Sequence, residues 1–179
     1  MTTDDDRALA KVGSRMNDEQ RSKLLAAMEV VTLSPGQPLA REGEPLDSLY
    51  VVAAGKLALS LVAAGKELAL GELGASEMLG ELAVLEPTVA SVDARAGGPT
   101  RLLRLSHTAL GTLRDGDAKL ASLLLRALIE ELSGRVRNCS TVLEQGEAAG
   151  KLRLAKDPEN TSWLARTFGR LFGTRSEAS

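Results

Sequence analysis

The chain has 179 residues, of which 44% are hydrophobic and 26% charged, and its net charge is −2. This length accommodates one domain with a proper core plus short extensions, and the composition is ordinary for a soluble globular protein. A nearly balanced charge excludes global attraction to nucleic acid or anionic membranes, and no apolar run approaches the roughly 18 residues of a spanning helix. The one cysteine, Cys139, excludes an internal disulfide framework and a cysteine-built metal site.

The first residues are acidic, whereas a secretory signal would be basic and then apolar. We therefore expect a cytoplasmic protein, with residues 1–16 as a flexible N-terminus. Asn17 is a plausible N-cap, and Gln20 stands at the capping-box position. Apolar residues at helical spacing follow, which predicts a short amphipathic helix over residues 17–30.

From Val31 to Leu105 the sequence consists of short apolar runs, which glycines and prolines interrupt at intervals of about ten residues. This spacing is typical of an antiparallel sandwich or barrel. The segment Val-Ala-Ala-Gly-Lys occurs twice, ending at Gly55-Lys56 and again at Gly65-Lys66. Since glycine readily adopts a positive φ, each pair predicts a corner between two consecutive strands.

From Ser106 onward the pattern is helical. Ser106 can cap a short helix through Leu113, and Asp115-Gly116-Asp117 is expected to end it. A long helix is then predicted from about Ala118 to Gln145. Its apolar residues recur in alternating steps of four and three: Leu125, Ile129, Leu132, Val136, Cys139 and Leu143. This heptad stripe favours a homodimer seam, and the alternative is that it packs onto the sandwich.

Residues 146–160 are predicted to be a linker, with a loop from Gly146 to Gly150 and a charged stretch over residues 151–160, and residues 161–179 an amphipathic tail. Five large apolar residues cluster on one side of a helical wheel: Trp163, Leu164, Phe168, Leu171 and Phe172. Arginines lie on the opposite side. The tail is interpreted as a docking peptide for a partner protein, as a weak membrane-surface helix, or as a segment that folds back onto its own domain.

Several motifs follow one another in the β-rich region: Leu33-Ser34-Pro35-Gly36, Arg41-Glu42-Gly43-Glu44-Pro45, Asp47 to Val52, Leu70 to Gly74, Gly80-Glu81-Leu82-Ala83 and Leu103 to Ser106. In this order they resemble the cyclic nucleotide-binding domain family, in the form found in bacterial catabolite-activator-type regulators. The resemblance covers residues 31–145. It implies a mainly β fold with flanking helices, a double-stranded β-helix or jelly roll, followed by a long C-terminal dimerisation helix.

The resemblance also locates a phosphate-binding cassette, whose candidate ligand residues are Gly80, Glu81, Leu82, Ala83, Thr88, Val89 and Ser91. Gly80 is expected to let the backbone approach a ligand, and residues 81–85 to form a short helical turn. In the family, the residue matching Glu81 accepts a hydrogen bond from the ribose 2′-hydroxyl. An arginine follows the proline and holds the cyclic phosphate, but here Pro87 is followed by Thr88. We therefore predict weak or absent binding of cyclic AMP or cyclic GMP.

The remaining residues do not suggest catalysis. The single histidine, His107, has no acid placed to orient it and is interpreted as structural, and Cys139 as a small hydrophobe on the apolar stripe. We expect no enzyme activity, no metal site and no cofactor. With only about thirty residues after the long helix, direct DNA binding is not expected. The leading hypothesis is a non-catalytic regulatory module, and its rival is a ligand-independent scaffold that dimerises and docks a partner through residues 161–175.

Overall fold

The structure is a computed structural model that describes the backbone of residues 3–63 and 65–148. Side chains are described for residue 5, residues 7–62, residue 65 and residues 67–137. The helices are α1 (Thr3–Ala8), α2 (Asp18–Ala26), α3 (Glu81–Leu85), α4 (His107–Gly116) and α5 (Ala118–Ala148). Residues Met1–Ser133 form one compact unit, and residues 134–148 of α5 belong to a second.

The described chain has ten strands: β1 (Glu29–Leu33), β2 (Pro38–Ala40), β3 (Pro45–Leu46), β4 (Ser48–Ala54), β5 (Leu57–Ala63), β6 (Lys66–Leu73), β7 (Met78–Leu79), β8 (Thr88–Val89), β9 (Asp93–Ala96) and β10 (Thr100–Ser106). One four-stranded sheet has the order β1-β10-β4-β7, and the other the order β2-β9-β5-β6. Strands β3 and β8 form a separate pair. All pairs are antiparallel, so the prediction of a mainly β fold with flanking helices is confirmed.

The largest core cluster joins the first sheet to helices from both ends of the chain. Leu49, Val51, Leu103 and Leu105 come from β4 and β10, and they pack with a buried stripe of α5. That stripe consists of Leu120, Leu124 and Leu128, each with no exposed surface. The burial of these large aliphatic side chains is the main stabilising contribution to the fold.

The N-terminal segment differs from its prediction as a flexible extension. Helix α1 and the turns after it bury Ala8, Leu9, Val12 and Met16 in the largest core cluster. The Asp5 carboxylate, only 5% exposed, makes an ion pair with the guanidinium of Arg101 on β10. The second contact of this pair, from Arg101 Nη2 to Asp5 Oδ2, measures 3.2 Å. Residues 5–16 are therefore part of the packed domain.

The capping box at the start of α2 is confirmed. The backbone N–H of Gln20 donates to Asn17 Oδ1 at 2.9 Å, and the N–H of Asn17 donates to Gln20 Oε1 at 3.0 Å. These two bonds satisfy amide groups that a helix start leaves without intrahelical partners. The helix ends at Ala26, four residues before the predicted end, and the chain continues into β1 at Glu29.

Both predicted Gly-Lys corners occur where strands meet. Gly55 lies between β4 and β5 with φ of +81°, and Gly65 lies between β5 and β6 with φ of +74°. A Cβ on Gly55 would approach the Pro99 carbonyl oxygen to 2.4 Å, whereas a Cβ on Gly65 would meet no atom within 4 Å. The first corner is therefore packed against the rest of the fold, and the second is open.

Ser106 caps α4, because its hydroxyl accepts a hydrogen bond from the Ala109 N–H at 3.1 Å. The helix continues to Gly116, beyond the predicted end at Leu113. Asp117 separates it from α5 and accepts a bond from the Leu120 N–H at 3.0 Å. Helix α5 extends to Ala148, so residues 146–148 of the predicted linker are helical. No helix in the described ranges combines the length and hydropathy needed to cross a membrane.

Candidate functional site

The candidate cassette begins at Gly80, directly before α3. Gly80 has φ of +87°, and a Cβ placed on it would lie 2.1 Å from the carbonyl oxygen of Ser48. The sequence interpretation assigned this glycine to close approach of a ligand. The structure gives it a close neighbour inside the protein instead: the backbone of β4 occupies the space that a side chain would need.

Helix α3 confirms the predicted helical turn over residues 81–85 and sets the burial of its side chains. Glu81 is 4% exposed, and Ala83 and Val84 are buried. Leu82 points the other way and keeps 48% of its surface exposed. The only ionisable residues from Gly80 to Ser91 are Glu81 and Glu86, so this segment carries no side-chain cation.

Thr88 and Val89 form the short strand β8, which pairs with β3. The register sets Thr88 opposite Leu46 and Val89 opposite Pro45. Both residues are exposed, Val89 to 55%, and Ser91 is exposed as well. Thr88 therefore lies on an accessible surface, in backbone that is fixed by a strand pair.

A neighbouring turn is tied to the end of the cassette by two backbone hydrogen bonds. The Gly43 N–H donates to the Ala90 carbonyl at 2.8 Å, and the Ala90 N–H donates to the Glu44 carbonyl at 2.8 Å. This turn carries a cation that sequence reasoning did not connect with the cassette, Arg41. Its guanidinium lies 3.7 Å from the Glu44 carboxylate, which offsets its charge. The link could be found only from the fold, since Arg41 and Ala90 are distant in sequence.

Beside Gly80, a polar network joins β4 to β10. Arg104 Nε donates to the Ser48 hydroxyl at 2.9 Å, and Ser48 Oγ donates to Asp47 Oδ1 at 2.7 Å. The Ser48 hydroxyl and, to a smaller extent, the charge of Arg104 hold the pKa of Asp47 below its ordinary value. Asp47 is therefore ionised at neutral pH, and through Ser48 and Arg104 it ties the start of β4 to β10.

His107 connects the cassette to the helical end of the domain. Its ring Nδ1 lies 2.9 Å from the carbonyl oxygen of Val84 in α3, which requires Nδ1 to carry the proton. The backbone N–H of His107 also donates to the Asp47 carbonyl at 2.8 Å. These contacts agree with the structural interpretation of the histidine.

The sequence model described as a cyclic nucleotide-binding domain matches residues 30–117, which span both sheets and the cassette. The chain belongs to the cyclic nucleotide-binding domain family. The residues that suggested the resemblance, from Leu33-Ser34-Pro35-Gly36 to Gly80-Glu81-Leu82-Ala83, lie inside the matched range.

Solved and curated members of the family resemble this chain. It is 34% identical to the N-terminal domain of a transcriptional regulator from Streptomyces coelicolor A3(2), with a TM-score of 0.65 over 72% of this chain and 93% of that one. The catabolite activator protein of Thermus thermophilus is 26% identical, with a TM-score of 0.69 over 75% of this chain and 62% of that one.

A CRP-like cAMP-activated global transcriptional regulator of Mycobacterium tuberculosis is 27% identical over 141 residues, 77% of this chain and 63% of that protein. The chain thus spans less than two thirds of the length of this curated relative. What the resemblance establishes is a domain of the cyclic nucleotide-binding type, related to CRP-like regulators.

The predicted dimer seam lies on a different side of α5 from the buried stripe. Leu125 and Leu132 are half-buried, whereas Ile129 is 59% exposed and Val136 is 53% exposed. The side chains of Cys139 and Leu143, and the tail residues Trp163, Leu164, Phe168, Leu171 and Phe172, fall outside the described part of the chain. Among the described residues, no group of three His, Cys, Asp or Glu side chains could hold a metal ion.

Proposed function

We propose that this chain is a non-catalytic, cytoplasmic regulatory module of the cyclic nucleotide-binding type whose cassette is degenerate. In this proposal it acts through homodimerisation along α5 and through the C-terminal tail. The observation that carries the proposal is the threonine at position 88. It stands where the family has its phosphate-binding arginine, and no Lys or Arg occurs between Gly80 and Ser91.

The expected effect on affinity is large. An arginine pairs with phosphate oxygens through two parallel N–H bonds, and losing one partner of such a buried charged contact costs about 2–5 kcal/mol. That range corresponds to a loss of about 30-fold to several-thousand-fold in affinity. A neutral hydrogen bond from Thr88 would restore only about 1 kcal/mol. Nearby Arg41 already faces Glu44, which further supports weak binding of an anionic cyclic phosphate.

Placing an arginine at position 88 tests whether its absence weakens the binding of a cyclic nucleotide. We expect titration calorimetry to detect no low-micromolar binding of cyclic AMP or cyclic GMP to the wild-type chain. We expect Thr88→Arg to raise the affinity at least about 30-fold, because the guanidinium would supply the missing phosphate contact. Thr88 is exposed, so the longer side chain can be accommodated on the surface.

The matched control is Val89→Arg. It adds the same charge to the same two-residue strand, but successive side chains of a strand point to opposite faces. A gain in Val89→Arg as large as in Thr88→Arg would show non-specific charge attraction. Low-micromolar binding by the wild-type chain would contradict the degenerate cassette. No binding by any variant would favour the alternative function, a ligand-independent scaffold that docks a partner through residues 161–175.

The proposed homodimer is supported by the exposure of the heptad stripe. Ile129 and Val136 are one heptad apart and more than half exposed, although the adjacent stripe of α5 is fully buried. Exposed aliphatic residues repeated at this interval match the contact positions of a two-stranded coiled coil. Cys139 and Leu143 continue the same repeat in the sequence. A related chain that exposes the same apolar heptad positions but functions as a monomer would weaken this proposal.

Oxidative cross-linking through Cys139 can test the seam, since this is the one cysteine of the chain. We expect the wild-type chain to form a disulfide-linked dimer under mild oxidation. Ile129→Glu should reduce the yield at least about tenfold, because a seam contact position would then bring two like charges together.

Val30→Glu is the control substitution: Val30 is a β-branched residue on β1 that is 54% exposed, close to the 59% of Ile129. It should leave cross-linking unchanged, as should deletion of residues 151–179. Equal cross-linking of Ile129→Glu and wild type would place the dimer contact elsewhere. Loss of cross-linking on deletion of the tail would show that the tail, and not α5 alone, holds the two copies together.

A further inference from the structure

The outer surface of the cassette carries exposed apolar side chains on two elements that contact each other. Leu82 of α3 is 48% exposed and Val89 of β8 is 55% exposed, and α3 contacts β8. Val89 lies opposite the exposed Pro45 of β3, and directly opposite residues of an antiparallel pair share a face. We name Pro45, Leu82, Glu86 and Val89 the cassette face. Apolar side chains that are exposed on adjoining elements, and not scattered singly, mark interaction sites.

The charge around the cassette face is negative. Exposed residues 41–45 and 86–89 include three carboxylates but one cation, Arg41. The guanidinium of Arg41 already faces Glu44, at 3.7 Å. Among the described side chains, none makes an ion pair with the carboxylate of Glu86. The cassette face is therefore suited to a segment that is both apolar and cationic.

A second group of exposed apolar side chains, on the β5–β6 hairpin, differs in how its charges are used. Leu70 of β6 is 50% exposed. The carboxylates near it have partners within the chain: Glu67 accepts a bond from the Ser60 hydroxyl at 2.8 Å, and Glu72 pairs with Lys56 at 2.8 Å. A cationic segment would have to displace these partners on the hairpin, but not on the cassette face.

The sequence of the C-terminal tail has the complementary character. Residues 161–175 contain five large apolar residues at helical spacing, three arginines and no acidic residue. Arginine forms strong charge-assisted bonds with carboxylates, and the apolar residues gain free energy when a surface removes them from water. Residues 149–160 precede this segment, and twelve residues can span up to about 40 Å, more than the diameter of a small domain. The connection is therefore long enough for the tail to return to its own domain.

We propose that residues 161–175 bind to the cassette face of their own chain, with the apolar side of the tail against Leu82 and Val89 and its arginines beside Glu86. A tethered segment has an effective concentration of about 1 mM, so a dissociation constant of about 0.1 mM for the separate peptide is enough to keep it bound most of the time. The inference goes beyond the proposed function, because it gives the tail a binding site when no partner is present. It needs neither a nucleotide nor the seam of α5.

Fluorescence of Trp163 tests this contact in the full-length chain. Trp163 is the one tryptophan of the chain, so its emission reports the tail alone. We expect the emission maximum to lie at a shorter wavelength than that of the separate peptide 161–175, because an apolar contact removes the indole from water. Leu82→Glu should return the emission to the position of the peptide. Glu86→Lys should shift it in the same direction, because it places a cation beside the arginines of the tail.

Matched substitutions on other surfaces are the controls. Val30→Glu, on β1 at a position that is 54% exposed, is the control for Leu82→Glu. Glu67→Lys, at an exposed position of β6, is the control for Glu86→Lys. Both control variants should leave the emission of Trp163 unchanged. The unfolding midpoint of each variant shows whether it folds, and Glu86→Lys remains a test if Leu82→Glu does not fold.

Several results would overturn the proposal. One is a wild-type emission maximum at the position of the peptide, and another is the absence of a shift in both Leu82→Glu and Glu86→Lys. A shift in Leu70→Glu in place of Leu82→Glu would assign the tail to the β5–β6 hairpin. A shift on dilution of the wild-type chain would assign it to a second copy. None of these results depends on nucleotide binding by Thr88→Arg or on cross-linking through Cys139.

Discussion

Gly80→Ala is expected to lower the free energy of unfolding by about 3 kcal/mol or more. Two costs combine at this position. The backbone has φ of +87°, which alanine adopts unfavourably, and the added Cβ would lie 2.1 Å from the Ser48 carbonyl oxygen. The obstructing atom is backbone in the middle of the fold, so it cannot rotate away as the end of a flexible side chain could. Urea unfolding monitored by circular dichroism measures the loss.

Two other glycines separate these costs. Gly43 has φ of +82° but open space around its Cβ position, so Gly43→Ala reports the backbone cost alone, about 1 kcal/mol. Gly98 has neither a positive φ nor a neighbour within 4 Å, and Gly98→Ala should be close to neutral. If Gly80→Ala lowered the free energy of unfolding no more than Gly43→Ala, the close approach to Ser48 would not explain the glycine. Close approach of a ligand would then be the better explanation.

Asp5→Asn is expected to destabilise the domain by about 2–4 kcal/mol, because it removes the ion pair between the buried Asp5 carboxylate and the Arg101 guanidinium. The Asp5 side chain is 5% exposed and that of Arg101 is 28% exposed, so solvent compensates only part of the loss. The effect should appear in the same urea measurement. A flexible N-terminus, as the sequence suggested, would instead predict no change in stability.

A double-mutant cycle shows whether the pair itself is responsible. Replacing both residues, in Asp5→Leu with Arg101→Met, should cost less than the sum of the two single substitutions, since the second substitution removes a contact that the first has already broken. Asp115→Asn is the surface control. Asp115 pairs with Arg114 in a contact whose side chains are 74% and 68% exposed, so the change should remain within about 0.5 kcal/mol. Strict additivity across the cycle would contradict a direct coupling between Asp5 and Arg101.

Local sequence patterns predicted most of the fold because their physical causes are local. The capping box at Asn17 and Gln20, the positive φ of Gly55 and the cap at Ser106 each involve residues within a few positions of one another. The seam prediction used the same kind of periodicity, and the structure adds the exposure of Ile129 and Val136.

Features that depend on contacts between residues distant in sequence were missed, because no local pattern indicates them. The acidic start of the chain looked solvated, since the partner of Asp5 is 96 residues away on β10. The apolar residues Leu9, Val12 and Met16 were present at helical spacing, and that signal could have indicated burial. The pairing of β8 with β3 and the link from Arg41 to the cassette likewise arise only when the sheets assemble.

Because Gly80 closely approaches Ser48, positions 80 and 88 differ in the substitutions that they tolerate. Folding alone is enough to forbid any side chain at this position, whatever the neighbouring surface binds. Position 88 is under no such restriction, because it is exposed and its backbone is held by a strand pair that tolerates many side chains. A substitution at position 88 is therefore compatible with the fold, whereas a substitution at position 80 is not.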